Sequence, residues 1–282
     1  MSRPVAVGLM AVLVAFVALG CRKQDVAADQ AAIEVLVRQD TTHFAASTQH
    51  DSAGGSFVDG DTAFVWWRGA QTHDSAPGIE VDVSGDSATV TWSQHNYGWF
   101  EVLVRPAGES LQLWNKPLRE KVQLSAVFAR VGGVADAGRG WQFQRISLAT
   151  SLSDSVQTVR IDSLRLQSSL QHTVIRDPLS TFYRADSLVS FTPGELVTLT
   201  LYTNATAGKA FLHTFVLAWP FYIRLEFADQ GAGVYQGTWH AQGFPSFRFG
   251  IFDLMARTTI YERDGAYDVN GWLFPYRIAT AD

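Results

Sequence analysis

The stretch Ile79-Glu80-Val81-Asp82-Val83-Ser84-Gly85-Asp86-Ser87-Ala88-Thr89-Val90-Thr91-Trp92 sets the structural character of the chain. Ile79, Val81 and Val83 alternate with Glu80, Asp82 and Ser84, the two-residue period of a strand with one face in a core. Gly85-Asp86 supplies a turn and Ala88 to Trp92 leads back, so the segment reads as an antiparallel hairpin. Strand patterns continue on both sides. Thr62 to Arg68 is apolar and aromatic, and Trp99 to Arg105 is a further strand that Pro106-Ala107-Gly108 interrupts. Val122, Leu124, Ala126 and Phe128 alternate with Lys121, Gln123, Ser125 and Val127. A glycine-rich turn from Gly132 to Gly140 follows, and Trp141, Phe143 and Arg145 then alternate with Gln142, Gln144 and Ile146.

One segment ahead of these strands reads as helix. From Asp25 to Ser47, Ile33, Leu36, Val37 and Phe44 recur at helical spacing, alanines favour the helix, and Asp25 or Asp29 suits its positive end. Thr48 to Gly60 dissolves into Ser, Asp and Gly, a loop composition. A helix followed by long antiparallel strands reads as α+β.

The order of this helix, Asp86-Ser87-Ala88-Thr89-Val90-Thr91-Trp92, Phe128-Ala129-Arg130-Val131-Gly132-Gly133 and Gly140-Trp141-Gln142-Phe143 resembles the NTF2-like, cone-shaped superfamily over nearly half the chain. The resemblance implies that residues 25–150 form a curved antiparallel sheet that wraps one long helix and leaves an apolar pocket. Asp40 lies seven positions after Ile33 and four before Phe44, on the apolar side of the helix. His43 follows at i+3, a spacing at which the two side chains can touch. In NTF2-like enzymes such as ketosteroid isomerase, Asp, His and Tyr side chains perform acid–base chemistry. The resemblance thus makes Asp40, His43 and Tyr97 catalytic candidates for a small-molecule lyase or isomerase. The competing reading is a structural Asp40, hydrogen-bonded to backbone or to a strand arginine, or lying near the helix end in water. Spacing alone gives no distinctive enzyme signature. Non-catalytic binding or scaffolding is therefore the first expectation, with the enzyme as the alternative.

Beyond Thr150, the small polar residues 151–155 read as a hinge. Residues 156–282 then carry short strands at Leu196–Tyr202, Phe211–Trp219, Phe221–Phe227, Val234–Trp239 and Phe247–Leu254, separated by Gly, Pro and Asn turns. This punctuation reads as a two-sheet antiparallel sandwich. The closing stretch, through Tyr261, Tyr267, Trp272 and Phe274-Pro275-Tyr276, resembles the tail of bacterial Ig-like envelope modules. Asp253 and Arg257 are expected to pair across a bend, and Trp272 and Tyr276 to close one end of the sandwich.

The first 21 residues state an address. Arg3 precedes an uncharged apolar run from Val5 to Leu19, and Ala18-Leu19-Gly20-Cys21 closes it, the layout of a secretory signal. The run spans about 15 residues, short of the roughly 20 that a spanning helix needs. Ala-Leu-Gly-Cys resembles a bacterial lipobox, which implies cleavage after residue 20 and acylation of Cys21, with residues 21–24 as a tether. Cys21 is the chain's one cysteine, so no internal disulfide can form. The resemblance places the protein at the cell envelope, on the outer membrane, because Arg22 rather than Asp follows the cysteine. The partners expected are that membrane, and a small apolar ligand or an envelope protein.

Composition narrows the rest. Hydrophobic residues make up 47% and the net charge is −5, which suits a packed core and disfavours nucleic acid as a partner. His50-Asp51-Ser52 and His73-Asp74-Ser75 lack the long-range placement of a triad. No Cys pair or HExxH supports zinc, and no GxxxxGK[ST] supports a nucleotide, so no metal or cofactor is expected. Asp268-Val269-Asn270-Gly271 is similar to part of a calcium loop, but Ala266 stands at the first-ligand position and no Glu closes it. Asn204-Ala205-Thr206 fits a glycosylation sequon. A Cys21→Ser protein should stay uncleaved and leave the membrane fraction on cell fractionation. Continued sedimentation of that variant with membranes would contradict the anchor.

Overall fold

The computed structural model describes residues 25–44, 57–59, 62–184, 186–215, 222–242 and 246–279. The leader, Cys21 and His50-Asp51-Ser52 lie outside them. Helix α1 covers 25–39, and the strands that follow are β1 (Phe57–Asp59), β2 (Thr62–Arg68), β3 (Thr72–His73), β4 (Gly78–Ser84), β5 (Ser87–Arg105), β6 (Gln112–Arg130) and β7 (Trp141–Ser153). Next come β8 (Ile161–Gln167), β9 (His172–Ile175), β10 (Phe182–Arg184), β11 (Ser190–Phe191), β12 (Leu196–Thr203), β13 (Lys209–Phe215) and β14 (Tyr222–Glu226). The chain ends with β15 (Ala228–Asp229), β16 (Val234–His240), β17 (Ser246–Met255), the short helix α2 (Arg257–Tyr261) and β18 (Val269–Ile278).

The expected α+β cone followed by a separate Ig-like sandwich is not what forms. Strand makes up 58% and helix 11%, with one helix of seven or more residues among those described. A thirteen-stranded sheet runs β1-β2-β5-β6-β7-β18-β17-β13-β14, with β3 and β4 on β5, β10 on β7 and β11 on β18. A five-stranded sheet runs β15-β16-β12-β8-β9. Two causes, one local and one long-range, account for the difference. First, α1 ends at residue 39 because the Asp40 carboxylate accepts the backbone N–H groups of Thr42 and His43, at 3.2 and 3.1 Å. That local turn competes with helix. Second, the first three residues of the expected hinge belong to β7, and β7 pairs with β18 from Ala149↔Leu273 to Leu152↔Asn270. This pairing fuses the sheet systems of the two halves of the chain. The expected bend pair also fails to form, since Asp253 pairs with Arg68 and Arg257 with Asp59.

The large sheet buries one phase of its strands. Phe64, Trp66 and Arg68 in β2, Phe100, Val102 and Val104 in β5 and Leu118, Glu120 and Val122 in β6 all face inward. At the other end of β5 and β6, the same phase lies beneath α1, where Ile33, Val37 and Phe44 pack with Val90, Trp92, Leu124, Phe128 and Ile146. The sheet curls so far that strands six apart in its order meet face to face. The rings of Trp66 (β2) and Phe211 (β13) lie 5.2 Å apart, and Arg224 of β14 donates to the Trp66 carbonyl at 2.9 Å. The smaller sheet covers the C-terminal part of the large one. Leu164, Leu199, Leu201, Tyr235 and Trp239 pack there with Leu212, Phe252, Trp272, Phe274 and Tyr276. The bend into β7 needs glycine at residue 140, whose φ is +76° and where a Cβ would sit 2.4 Å from the Gly132 backbone.

Trp272 is 3% exposed within this second core. Trp272→Ala should lower stability by about 3–5 kcal/mol, measured by urea unfolding. An unchanged midpoint would remove it from the core.

Candidate functional site

Asp40 and His43 do meet. Nδ1 of His43 lies 2.7 Å from Asp40 Oδ2, and both side chains are partly exposed. The imidazole is held between Phe143 and Phe247, with each ring centroid 4.8 Å away. The other Asp40 oxygen is taken by the two backbone N–H groups that end α1. The pair therefore serves the end of the helix. Tyr97 does not join it. Its hydroxyl donates to Asp74 Oδ1 at 3.2 Å, and Asp74 Oδ2 lies 3.1 Å from His95 Nδ1. The His95 contact leads in drawing the Asp74 carboxyl below its usual range, whereas desolvation and Asp74 raise the Tyr97 phenol. Among the described residues, no hydrogen bond or ring contact links Tyr97 to Asp40 or His43.

The motifs set aside in the sequence have structural work. Asp268 accepts the backbone N–H of Thr158 at 3.1 Å and also its hydroxyl, tying the start of β18 to the segment after β7. The side chain of Asn204 accepts from the Arg160 N–H at 2.6 Å and donates to the Thr158 carbonyl at 2.9 Å. His73 bonds the Asp74 carbonyl at 3.0 Å.

The densest polar constellation lies inside the curl, built from strands far apart in sequence. Arg68 Nη1 and His213 Nε2 approach Asp253 Oδ2 at 2.7 and 2.9 Å. Arg68 Nε donates to the Tyr267 hydroxyl at 3.0 Å, which donates to Glu120 Oε2 at 3.0 Å. Asn96, directly across from Glu120 in the β5–β6 ladder, donates to its other oxygen at 3.2 Å. All six residues are buried. Trp66 and Phe211 stand against His213, with centroids 5.8 and 6.3 Å apart. Burial pushes the Asp253 carboxyl up, but Arg68 and then His213 outweigh it and hold it below the usual carboxylate range. Burial lifts the Tyr267 phenol well above its usual range. Burial also opposes the charge on Arg68, yet Asp253, Tyr267 and Glu120 more than restore it.

A network sealed this way crosslinks β2, β5, β6, β13, β17 and the approach to β18. Lys116 makes a second buried crosslink. It is 3% exposed, and its ammonium donates to the carbonyls of Thr258 at 3.1 Å, Thr259 at 2.6 Å and Glu262. These carbonyls cluster at α2, and the last marks its negative end. Desolvation draws the Lys116 pKa down to about 8. Arg68, Asn96, Lys116, Glu120 and Tyr267 belong to no recognisable site motif. For the first four the strands carry the signal, since these charged or amide residues share the inward phase of Trp66, Phe100, Leu118 and Val122. His213 shares with Phe211 the same alternating strand face.

Among the described residues, no three His, Cys, Asp or Glu side chains gather as a metal site, and no helix is long and apolar enough to cross a membrane. No family model, no curated protein and no solved structure matches this chain.

Removing Asp253 strands the buried Arg68 charge. Asp253→Asn should cost about 3–5 kcal/mol near neutral pH, the usual loss when one partner of a buried pair is deleted. Because the Asp253 pKa is depressed on folding, its contribution is complete above the unfolded value of about 3.9 and is lost as pH falls toward the lower folded value. The stability gap between wild type and variant should therefore narrow below about pH 4 in urea unfolding. A gap independent of pH would contradict an ionised Asp253.

Proposed function

We propose that this protein is a lipid-tethered component of the bacterial cell envelope that binds or scaffolds at the membrane surface without catalysing a reaction. The lipobox-like Ala18-Leu19-Gly20-Cys21 supports the tether, and the position of α1 supports close apposition to the bilayer. The described part of this helix begins at residue 25, four positions after Cys21, a separation that no chain can stretch beyond roughly 14 Å. Arg22 and Lys23 within that reach suit an anionic leaflet.

The observation that carries the reading is what stands beside the start of α1. Asp29, 3% exposed, accepts from Arg139 Nε at 2.7 Å and from Arg130. Burial raises its carboxyl, but the two arginines outweigh burial and hold it low. The loop between β6 and β7 is thereby fixed against the first turns of the helix. That loop exposes Val131 and Val134, 59% and 58% accessible. Exposed valines on a loop held close to the tether suit shallow contact with the acyl boundary. Binding is favoured over conversion because Asp40 and His43 serve the helix end, Tyr97 belongs to another cluster, and the strongest ionic network is sealed inside.

With Cys21 acylated, a Val134→Cys protein carries one free thiol for an environment-sensitive dye. In membranes the label should emit blue-shifted light and be quenched by lipid-borne quenchers. The same label at Leu111→Cys, on the exposed turn between β5 and β6, should emit as in water. Water-like emission from both would overturn the membrane-facing loop. An uncleaved leader with a bare Cys21 in mass analysis of native-host material would overturn the tether.

A further inference from the structure

We propose that the outer face of the smaller sheet is a binding site for a phosphate or sulfate group. The proposal does not rest on the lipid tether. In β8, Leu164 and Leu166 point into the core, so Ser163 and Arg165 face outward. The ladder sets Arg165 between Val174 of β9 and Thr200 of β12, and Ser163 beside Tyr202. Arg176, two residues beyond Val174, falls on the same face. Ser163, Arg165, His172, Val174, Arg176 and Tyr202 line a shallow cleft of about 570 Å³.

The cleft reverses the charge of the chain around it. Acidic residues outnumber Lys and Arg by 27 to 22 in the sequence, yet no carboxylate lines this surface. Many arginines are tied to carboxylates, among them Arg68 to Asp253, Arg139 to Asp29, Arg160 to Asp162 and Arg184 to Asp186. Among the described residues Arg165 and Arg176 make no ion pair. The Arg165 guanidinium spends one nitrogen on Gln167 Oε1, at 2.7 Å. Its Nε is buried and has no hydrogen-bond partner. A buried donor without an acceptor is costly, and an oxyanion seated between the arginines would supply the acceptor.

The donor set fits that class of ligand. Guanidinium groups match tetrahedral oxyanions through paired N–H donors. Arg176, His172, the Tyr202 phenol and the Ser163 hydroxyl add donors around the same space. Tyr202 and Val174, 39% and 38% exposed, give an apolar wall on which the organic part of an ester can rest. A free phosphate ester and a phospholipid headgroup present the same chemistry.

The test titrates the purified full-length chain in detergent with inorganic phosphate and with glucose 6-phosphate by calorimetry, at low and high salt. Co-sedimentation with phosphatidylglycerol and phosphatidylcholine vesicles forms the second arm, scored by the difference that the variants make. Saturable binding that Arg165→Gln and Arg176→Gln each weaken at least tenfold, while Arg105→Gln on β5 leaves it intact, supports the site. Binding of glucose 6-phosphate assigns it to a soluble ester. Arginine-dependent binding of phosphatidylglycerol vesicles alone assigns it to a lipid headgroup. Arg176 is exposed, so its variant keeps the test decisive if Arg165→Gln fails to fold. Absence of saturable binding to all probes, or an equal loss in Arg105→Gln, would overturn the proposal.

Discussion

The contact between Arg68 and Asp253, 2.7 Å apart with almost no solvent access, carries the architecture. Arg68 ends β2 near one edge of the large sheet, and Asp253 lies in β17 near the other. A flat sheet would leave both charges in water at no cost. Curling brings them together inside a wall of Trp66, Phe100, Phe211 and Tyr267. There, neither ion is tolerable without its partner. The pair adds little net stability compared with a hydrophobic substitute, because desolvation offsets most of the attraction. Its effect is on uniqueness: a shifted register in β2 or β17 would bury one charge alone. His213, Tyr267, Glu120 and Asn96 extend the same constraint to three more strands.

A second constraint joins the halves of the chain. β7 lies between β6 and β18, so the long first hairpins and the C-terminal strands share one hydrogen-bonded sheet. Buried serines serve this seam. Ser151 and Ser153 are 1% and 0% exposed, and Ser153 accepts from the Val269 N–H at 3.2 Å. This arrangement leaves the smaller sheet as a cover over one region, with its outer face free for contact. The loop after β6, held against the early turns of α1, exposes Val131 and Val134 in the same way among the described residues.

Local features were legible in the sequence because local chemistry decides them. The hairpin from Ile79 to Trp92 forms with Ser84 opposite Ser87 and Val83 opposite Ala88, as its alternation and Gly85-Asp86 require. The helix over residues 25–39 was equally readable. Its end was not, because the helical spacing continues through Phe44 to Ser47 while the Asp40 carboxylate, in the structural role weighed for it, receives the backbone N–H groups of Thr42 and His43. Serines near residue 151 resemble a hinge in sequence because exposed loops and buried strand seams use the same small polar residues. The pairing partner that decides between them lies more than a hundred positions away. The site suffered for the same reason. Arg68, Glu120 and Asp253 stand in separate strands, and only the curl brings them together. Arg165 and Arg176 are eleven positions apart in sequence, and only the β8–β9 ladder puts them on one face.

The curl therefore depends on coupling between β2 and β17. A double-mutant cycle of Arg68→Met, Asp253→Leu and their combination, read by urea unfolding, measures it directly. The double variant should be more stable than the sum of the single losses implies, by about 1–3 kcal/mol, the range for residues in one buried network. Additivity within about 0.5 kcal/mol, as for independent sites, would show that the two strands do not meet through this pair.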